Sequence, residues 1–260
     1  MKRVPQDIVG NIAILKFPRR TLWIIKKFQA KRFLKTHPHV TTVVEKTEGF
    51  SGQLRTPTTK YLAGEKTYTA HYKENDCIFE FDINESYFSP RLSNERKVIA
   101  DEVTKLAKPN SKILVMFAGI SPYPITIAKK LKQANKKATI ISNELNKKAN
   151  KESERNINLN KLQDYIKLIN GDAKKLPTKT YGAFDIILMP RPNLKDTFLE
   201  TALKLSKKGT TIFYHGFGTY ESVLKEIKKD TEDKIGRITI RKAGDIGPYA
   251  FRWQAIFKVK

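Results

Sequence analysis

Cysteine is nearly absent. Cys77 is the only one in 260 residues, which excludes an intrachain disulfide and any paired-cysteine zinc site, and it fits a reducing compartment. Histidine is scarce and scattered: His37, His39, His71 and His215 lack ligand spacing, no Asp or Glu cluster completes a metal site, and no metal is expected. No apolar run approaches the roughly 20 residues that span a bilayer. The basic start MKRVPQDIVGNIAILKFPRR is broken by Pro5, Asp7 and Asn11, so it lacks a secretory core. Neither GxGxxG nor GxxxxGK[ST] occurs, which weighs against nicotinamide dinucleotides and ATP. The expectation is a soluble, cytoplasmic protein.

Acid is also in deficit, and that absence points somewhere. Asp and Glu number 26 against 50 Lys and Arg, a formal net charge of +24 spread along the whole chain. A body this positive repels itself unless a polyanion is near, so nucleic acid is the first partner to consider and an anionic membrane surface the second. The hydrophobic fraction of 40% is ordinary for a globular protein, and the length allows one large core or two modest ones.

The pattern changes part-way along. Up to about residue 88 the apolar segments are short and strand-like (NIAILKF, HVTTVVEKTEGF, KTYTAHYKEN, CIFEFDI), with a helical stretch near Trp23 to Leu34. From Ser93 a helix is expected, with Ser93 as its N-cap and a stripe of Val98, Ile99, Val103 and Leu106. Beyond it, apolar runs of strand length alternate with amphipathic stretches, the signature of an α/β, doubly wound parallel sheet covered on both faces. One such helix is expected to start at Leu194. The last two runs, GRITIRKAG and AFRWQAIFKVK, have no helix between them and should form a terminal antiparallel hairpin. The expected division is 1–92, a smaller α+β domain, and 93–260, the Rossmann-like domain.

In such sheets ligands bind beyond the carboxyl ends of the strands. VMFAGISPYP, residues 115 to 124, ends a strand at Gly119, where backbone can approach a ligand; it can also simply terminate the strand. The next strand ends at Glu144, 25 residues after Gly119, placed to accept hydrogen bonds from both hydroxyls of a ribose. A third ends in NGDAKKL, where Asp172 could accept from an adenine amino group. With no phosphate cradle, S-adenosylmethionine suits these three strand ends better than a nucleotide. The fourth strand finishes as DIILMPRPN, where two prolines stiffen a loop that either faces a substrate or only leads to the next helix.

The blocks DIVGNIAIL, YLAGEKTYTAHYKEN, FDINESYFSPRLSNER, MFAGISPYPI, NELNKKA, NINLNK and DIILMPRPNLKDTFLETAL cover nearly the whole chain. In them it resembles the archaeal and eukaryotic tRNA methyltransferases that methylate N1 of the guanosine following the anticodon. The resemblance implies a class I methyltransferase domain from about residue 99 and an upstream domain that helps close the active site. It assigns the donor pocket to Phe117, Ala118 and Gly119, with Glu144 on the ribose and Asp172 and Ala173 near adenine. Around the guanine it places Tyr87, Arg55 and Glu95, with Glu95 as general base and Arg55 supporting the developing charge, and it gives the substrate side to Pro190, Arg191 and Pro192. A base and a cation suit the chemistry, because guanine N1 must lose a proton while negative charge moves toward O6.

Three departures stand out. Pro190, Arg191 and Pro192 occupy the place where relatives often carry Asn-Leu-Pro, whose asparagine helps read the base. Ser121 replaces a glycine in the donor loop. Longer relatives carry a further N-terminal RNA-binding domain. The reading is an S-adenosylmethionine-dependent tRNA methyltransferase, monomeric and with no protein partner implied. The alternatives are aminocarboxypropyl transfer from the same donor and a noncatalytic RNA-binding protein.

Overall fold

Half-apolar segments of four to six residues cannot stand alone, and the front of the chain assembles them into one small sheet. In the computed structural model, which describes residues 5–47, 58–176, 182–247 and 250–260, strands β1 (Gln6–Val9), β2 (Ile12–Leu15), β3 (Thr42–Lys46) and β4 (Thr59–Gly64) lie in that order. β2 and β3 are parallel, joined through helix α1 (Trp23–Thr36), whose Ala30 and Phe33 pack with Ala13, Val43 and Leu62. A hairpin follows, β5 (Thr69–Glu74) and β6 (Cys77–Asp82), turned by Asn75 and Asp76, both at positive φ as a two-residue hairpin loop requires.

Helix α2 (Ser93–Leu106) opens the larger unit. Ser93 is its first helical residue rather than its cap, because a short 3-10 turn over Pro90–Leu92 leads directly into it. Next come β7 (Ser111–Val115), α3 (Pro122–Gln133), β8 (Ala138–Glu144), α4 (Lys147–Leu159), β9 (Ile166–Asn170) and β10 (Phe184–Met189). The chain ends with α5 (Leu199–Lys204), β11 (Ser206–Gly218), α6 (Tyr220–Thr231), β12 (Thr239–Gly247) and β13 (Ala250–Lys258). The strands form one sheet, ordered β12-β13-β11-β10-β7-β8-β9, in which only the pairs β11–β13 and β12–β13 are antiparallel. Successive residues point to opposite faces. Ile113, Val115, Ile186 and Leu188 accordingly join one core with Ile99 and Ile127, while Leu114, Ile187 and Met189 join the other with Leu199 and Ile227. The helix expected at Leu194 starts five residues later, after Phe198 turns the backbone to φ 58.

The β5–β6 hairpin shares its core with the larger unit, since Ala70, Cys77, Phe79 and Phe81 pack in one cluster with Ile99 and Ile113. Its outer edge is covered by α4. Asn160 Oδ1 accepts from Ile78 N at 2.9 Å, Asn156 Oδ1 from Glu80 N at 2.7 Å and Glu152 Oε1 from Asp82 N at 2.7 Å. Four helical residues rise about 6 Å and two strand residues about 6.6 Å, so helix positions 152, 156 and 160 fall in step with alternate amides of β6. An open strand edge is thereby satisfied by one helix face.

Candidate active site

The carboxyl ends of β7, β8, β9 and β10 open into one cavity. After β7 the chain turns sharply: Phe117 and Gly119 both lie at φ 57, and the Gly119 amide donates to Glu144 Oε2 at 2.7 Å. Glu144 Oε1 accepts from Asn146 N at 2.8 Å, so one carboxylate ties the first strand's turn to the second's. Burial pushes its carboxyl above the ordinary range, and these backbone donors partly offset that. At the end of β9, Asp172 caps the short turn Ala173–Lys175 through Lys174 N at 3.0 Å. Asn143 steadies the same corner by donating to Gly171 O at 3.0 Å. Phe117, Ala118, Leu145 and Ala149 supply apolar wall here, with Glu144 and Asp172 as acids. None of the described residues lining these three strand ends is a lysine or arginine. That composition suits an uncharged adenosine and offers nothing to a diphosphate.

Ser121 lies behind the turn. It is fully buried at φ 64, and its Oγ bonds to Ser142 Oγ at 2.8 Å and to Ser153 Oγ at 2.9 Å, while Ser153 Oγ donates to Gly119 O at 3.0 Å. The serine departure is therefore part of a hydroxyl cluster under the loop and does not face the cavity.

At the end of β10, Pro190, Arg191 and Pro192 all line the cavity, but the Arg191 guanidinium turns inward. It donates from Nε to His215 O at 3.1 Å, from Nη1 to Leu194 O at 2.9 Å and Asp196 O at 3.2 Å, and from Nη2 to Glu226 Oε1 at 2.8 Å. Tyr214, itself bonded to Glu226, lies beneath it. Four of its five N–H donors are occupied by protein acceptors, so what it does is hold the proline loop. Two carbonyls of the segment before α5, those of Leu194 and Asp196, are thereby turned to the guanidinium.

Tyr87 lines the cavity as well, from the segment before α2. Glu95 does not. It is 5% exposed and gripped by Arg241, with Nη1 at 2.7 Å from Oε2 and Nη2 at 2.9 Å from Oε1, and His215 Nε2 lies 3.3 Å from Oε1. Burial alone would raise its carboxyl, but the hydrogen bonds from His215 and Arg241 outweigh it and hold the value below the usual range. The adjacent Arg96 does reach the wall, where it pairs with buried Glu74, donates to Ser89 O at 3.0 Å and stacks on Phe88. Arg55 lies outside the described residues. Among the described residues no group of three or more His, Cys, Asp or Glu is placed to hold a metal ion, and no helix is long and apolar enough to cross a membrane.

Residues 69–239 match the TRM5/TYW2 methyltransferase domain, and residues 4–67 match the TYW2 N-terminal domain. The chain belongs to the TRM5/TYW2 methyltransferase family. It is 32% identical over 212 residues to the tRNA (guanine(37)-N(1))-methyltransferase Trm5b of Pyrococcus abyssi, covering 82% of this chain and 59% of that protein. It is 43% identical over 156 residues to the tRNA (guanine(37)-N(1))/4-demethylwyosine(37)-methyltransferase Taw22 of Nanoarchaeum equitans, covering 60% and 48%. The structure of aTrm5 in complex with tRNALeu superposes with a TM-score of 0.86 at 25% identity, over 99% of this chain and 72% of that one. The chain thus spans about half to three-fifths of the length of these two curated relatives.

As a TRM5/TYW2 chain it has the Rossmann-like class I methyltransferase fold with a terminal antiparallel hairpin and a smaller N-terminal α+β unit. The cavity brings together Tyr87, Phe117, Ala118, Gly119, Glu144, Asp172, Ala173, Pro190, Arg191 and Pro192, and Glu95, buried in its pair with Arg241, is not part of the lining. Sequence reading missed Asn143, Tyr123, Arg96 and Arg252, which also line it. Asn143 and Tyr123 adjoin strand ends already singled out, and Arg96 adjoins Glu95. Arg252 carried no signal, because only the pairing of the last strand brings it to the site.

Proposed function

We propose that this chain binds S-adenosylmethionine and transfers its methyl group to N1 of the guanosine following the anticodon in tRNA. The observation that carries the reading is the convergence of the Gly119 turn, Glu144 and the Asp172–Ala173 corner with Tyr87 and the rigid Pro190–Pro192 loop in one cavity of a TRM5/TYW2 chain. When bound, the donor supplies an electrophilic methyl on a sulfonium. The Glu144 carboxylate accepts backbone amides, among them those of Gly119 and Asn146, and keeps lone-pair capacity for a ribose hydroxyl. Asp172 uses one oxygen on its own turn and keeps the other for an adenine amino group. Tyr87 and the two prolines wall the space into which the target base turns out of its stack.

The guanine N1 proton needs a base. We assign it to Glu95, in a state where Arg241 and His215 release it, and we assign Arg55 to the charge that then gathers on the base. Residues 1–92 supply RNA contacts and closure, residues 93–260 hold the donor, and the β5–β6 hairpin docked on α4 links them. The surplus of lysine and arginine holds RNA phosphates, so binding weakens steeply with salt. The protein acts as a monomer. Labelled donor and unmodified tRNA transcripts, followed by nucleoside mass spectrometry, test the reading. Methylguanosine carrying the methyl label is expected; donor binding without labelled nucleoside overturns it.

The match of residues 4–67 to the TYW2 N-terminal domain favours a second reading, transfer of the donor's aminocarboxypropyl arm. The same spectrum separates the two, since that arm is much heavier than a methyl.

A further inference from the structure

The antiparallel edge of the large sheet lies on the other side of β7 in the strand order from the strands that lead to Glu144 and Asp172, and it contributes Arg252 to the cavity lining. Its register sets His215 on β11 opposite Gln254 on β13, and Gln254 opposite Arg241 on β12; two rungs on, Arg252 stands opposite Phe217. Side chains alternate along a strand, so Gln254 and Arg252 share the face that His215 and Arg241 present to Glu95. Tyr123, in the first turn of α3, closes the group: its ring lies 6.1 Å from the His215 imidazole and it is 4% exposed.

Polar atoms in this group are poorly matched. Tyr123 OH and Arg252 Nε make no hydrogen bond to any described residue, and neither do Gln254 Oε1 and Arg241 Nε beside them. Buried polar atoms are rarely left without partners, and a cluster of them next to a cavity marks a missing one. Charge gives its sign. Of the described arginines lining the cavity, Arg96 is neutralised by Glu74 and Arg191 by Glu226, whereas Arg252 lies over the Phe217 ring with no described carboxylate beside it. Burial holds the His215 imidazole below its ordinary value, so it stays neutral, and pushes the Tyr123 phenol up, so it stays a donor. One hydroxyl donor and one guanidinium with no described carboxylate beside it thus belong to residues that line the same cavity.

We infer that Tyr123 and Arg252 form a binding site for an anionic oxygen at the reacting end of the cavity. Two molecules can bring that oxygen, both within the reading proposed above, on which this inference rests: the target purine, as its N1 proton leaves and charge moves to O6, and the donor, through its amino-acid carboxylate. Hydroxyl and guanidinium donors already in place on a dry wall stabilise such an oxygen without reorganising.

Arg252→Met and Tyr123→Phe in the full chain decide the matter, with binding of S-adenosylhomocysteine and of 5′-methylthioadenosine, which lacks the carboxylate, measured beside single-turnover methyl transfer. If the oxygen is the purine's, both nucleosides bind Arg252→Met within about twofold of wild type while the transfer rate falls about tenfold or more. If it is the donor's, S-adenosylhomocysteine weakens about tenfold or more and 5′-methylthioadenosine does not. Unchanged binding and unchanged rate in both variants, or equal weakening of the two nucleosides, overturns the site. Should Arg252→Met fail to fold, Arg252→Lys, which keeps the charge, carries the same comparison with smaller losses. A wild-type chain that binds neither nucleoside overturns the donor reading itself, a distinct result.

Discussion

Arg241 on β12 holds both carboxylate oxygens of Glu95 on α2, at 2.7 and 2.9 Å, so the residue assigned as base is here the anion of a closed pair. A carboxylate held below its usual range takes a proton reluctantly. Catalysis through Glu95 therefore requires the pair to open. Glu95→Gln should lower single-turnover transfer by about a hundredfold or more, with tRNA affinity little changed because Glu95 does not reach the cavity surface. Arg241→Gln should raise the Glu95 carboxyl and move the acid limb of the rate profile upward in pH. A Glu95→Gln enzyme as fast as wild type would remove Glu95 from the reaction.

His215 predicts how the fold responds to acid. It is fully buried, and burial depresses its value despite the opposing pull of Glu95. Unfolded chains take up the imidazole proton near the ordinary value of about 6.5, before the folded protein does. Stability from the neutral imidazole is therefore present above that value and declines as pH falls toward the lower folded one, by at most about 1.4 kcal/mol per pH unit. Glu95, whose value is also lowered, loses its contribution at still lower pH. Denaturant titrations between pH 7.5 and 5.5 should show His215→Gln declining less than wild type. Parallel curves for the two proteins would exclude the imidazole as the source.

Arg191 is expected to matter through the loop it holds. Arg191→Met removes four hydrogen bonds and strands Glu226, which should cost about 2–4 kcal/mol in unfolding titrations. Arg191→Lys keeps the charge but cannot reach four acceptors with a compact ammonium, so it should recover only part of the loss. If the loop positions the base, both variants also slow transfer more than they weaken donor binding. Full activity in Arg191→Met would show that the prolines hold the loop unaided.

Much of this was legible in the chain. The parallel core followed from the apolar runs around Ile113 and Ile186, because a strand wet on one face would have alternated; the closing hairpin followed from the missing helix between the last two runs. Glu144 and Asp172 stood out because strand ends are where such sheets bind ligands, and both line the cavity. Other features depend on distant pairings that local pattern does not encode. Asn156 and Asn160 complete the edge of β6, more than 70 residues earlier in the chain, which no local pattern announces. Arg191 read as a substrate contact because its acceptors, among them His215 O and Glu226, lie 24 and 35 residues away. The carboxylate of Glu95 looked free because Arg241, its partner, is 146 residues distant.

Ser121 sets two effects against each other. Its φ of 64 is left-handed, where glycine is relieved of about 1 kcal/mol of strain, so Ser121→Gly gains that much. The same change deletes a fully buried hydroxyl bonded to Ser142 and Ser153, leaving both with fewer partners at a cost of about 1–3 kcal/mol. The second effect is larger, and the variant should be less stable by about 1 kcal/mol. Because Ser121 lies behind the turn and does not line the cavity, S-adenosylhomocysteine should bind the variant within about twofold of wild type. Calorimetric titration beside denaturant unfolding separates the two readouts. A large change in donor affinity without a change in stability would mean that the hydroxyl cluster shapes the Gly119 turn itself, through Ser153 and the Gly119 carbonyl.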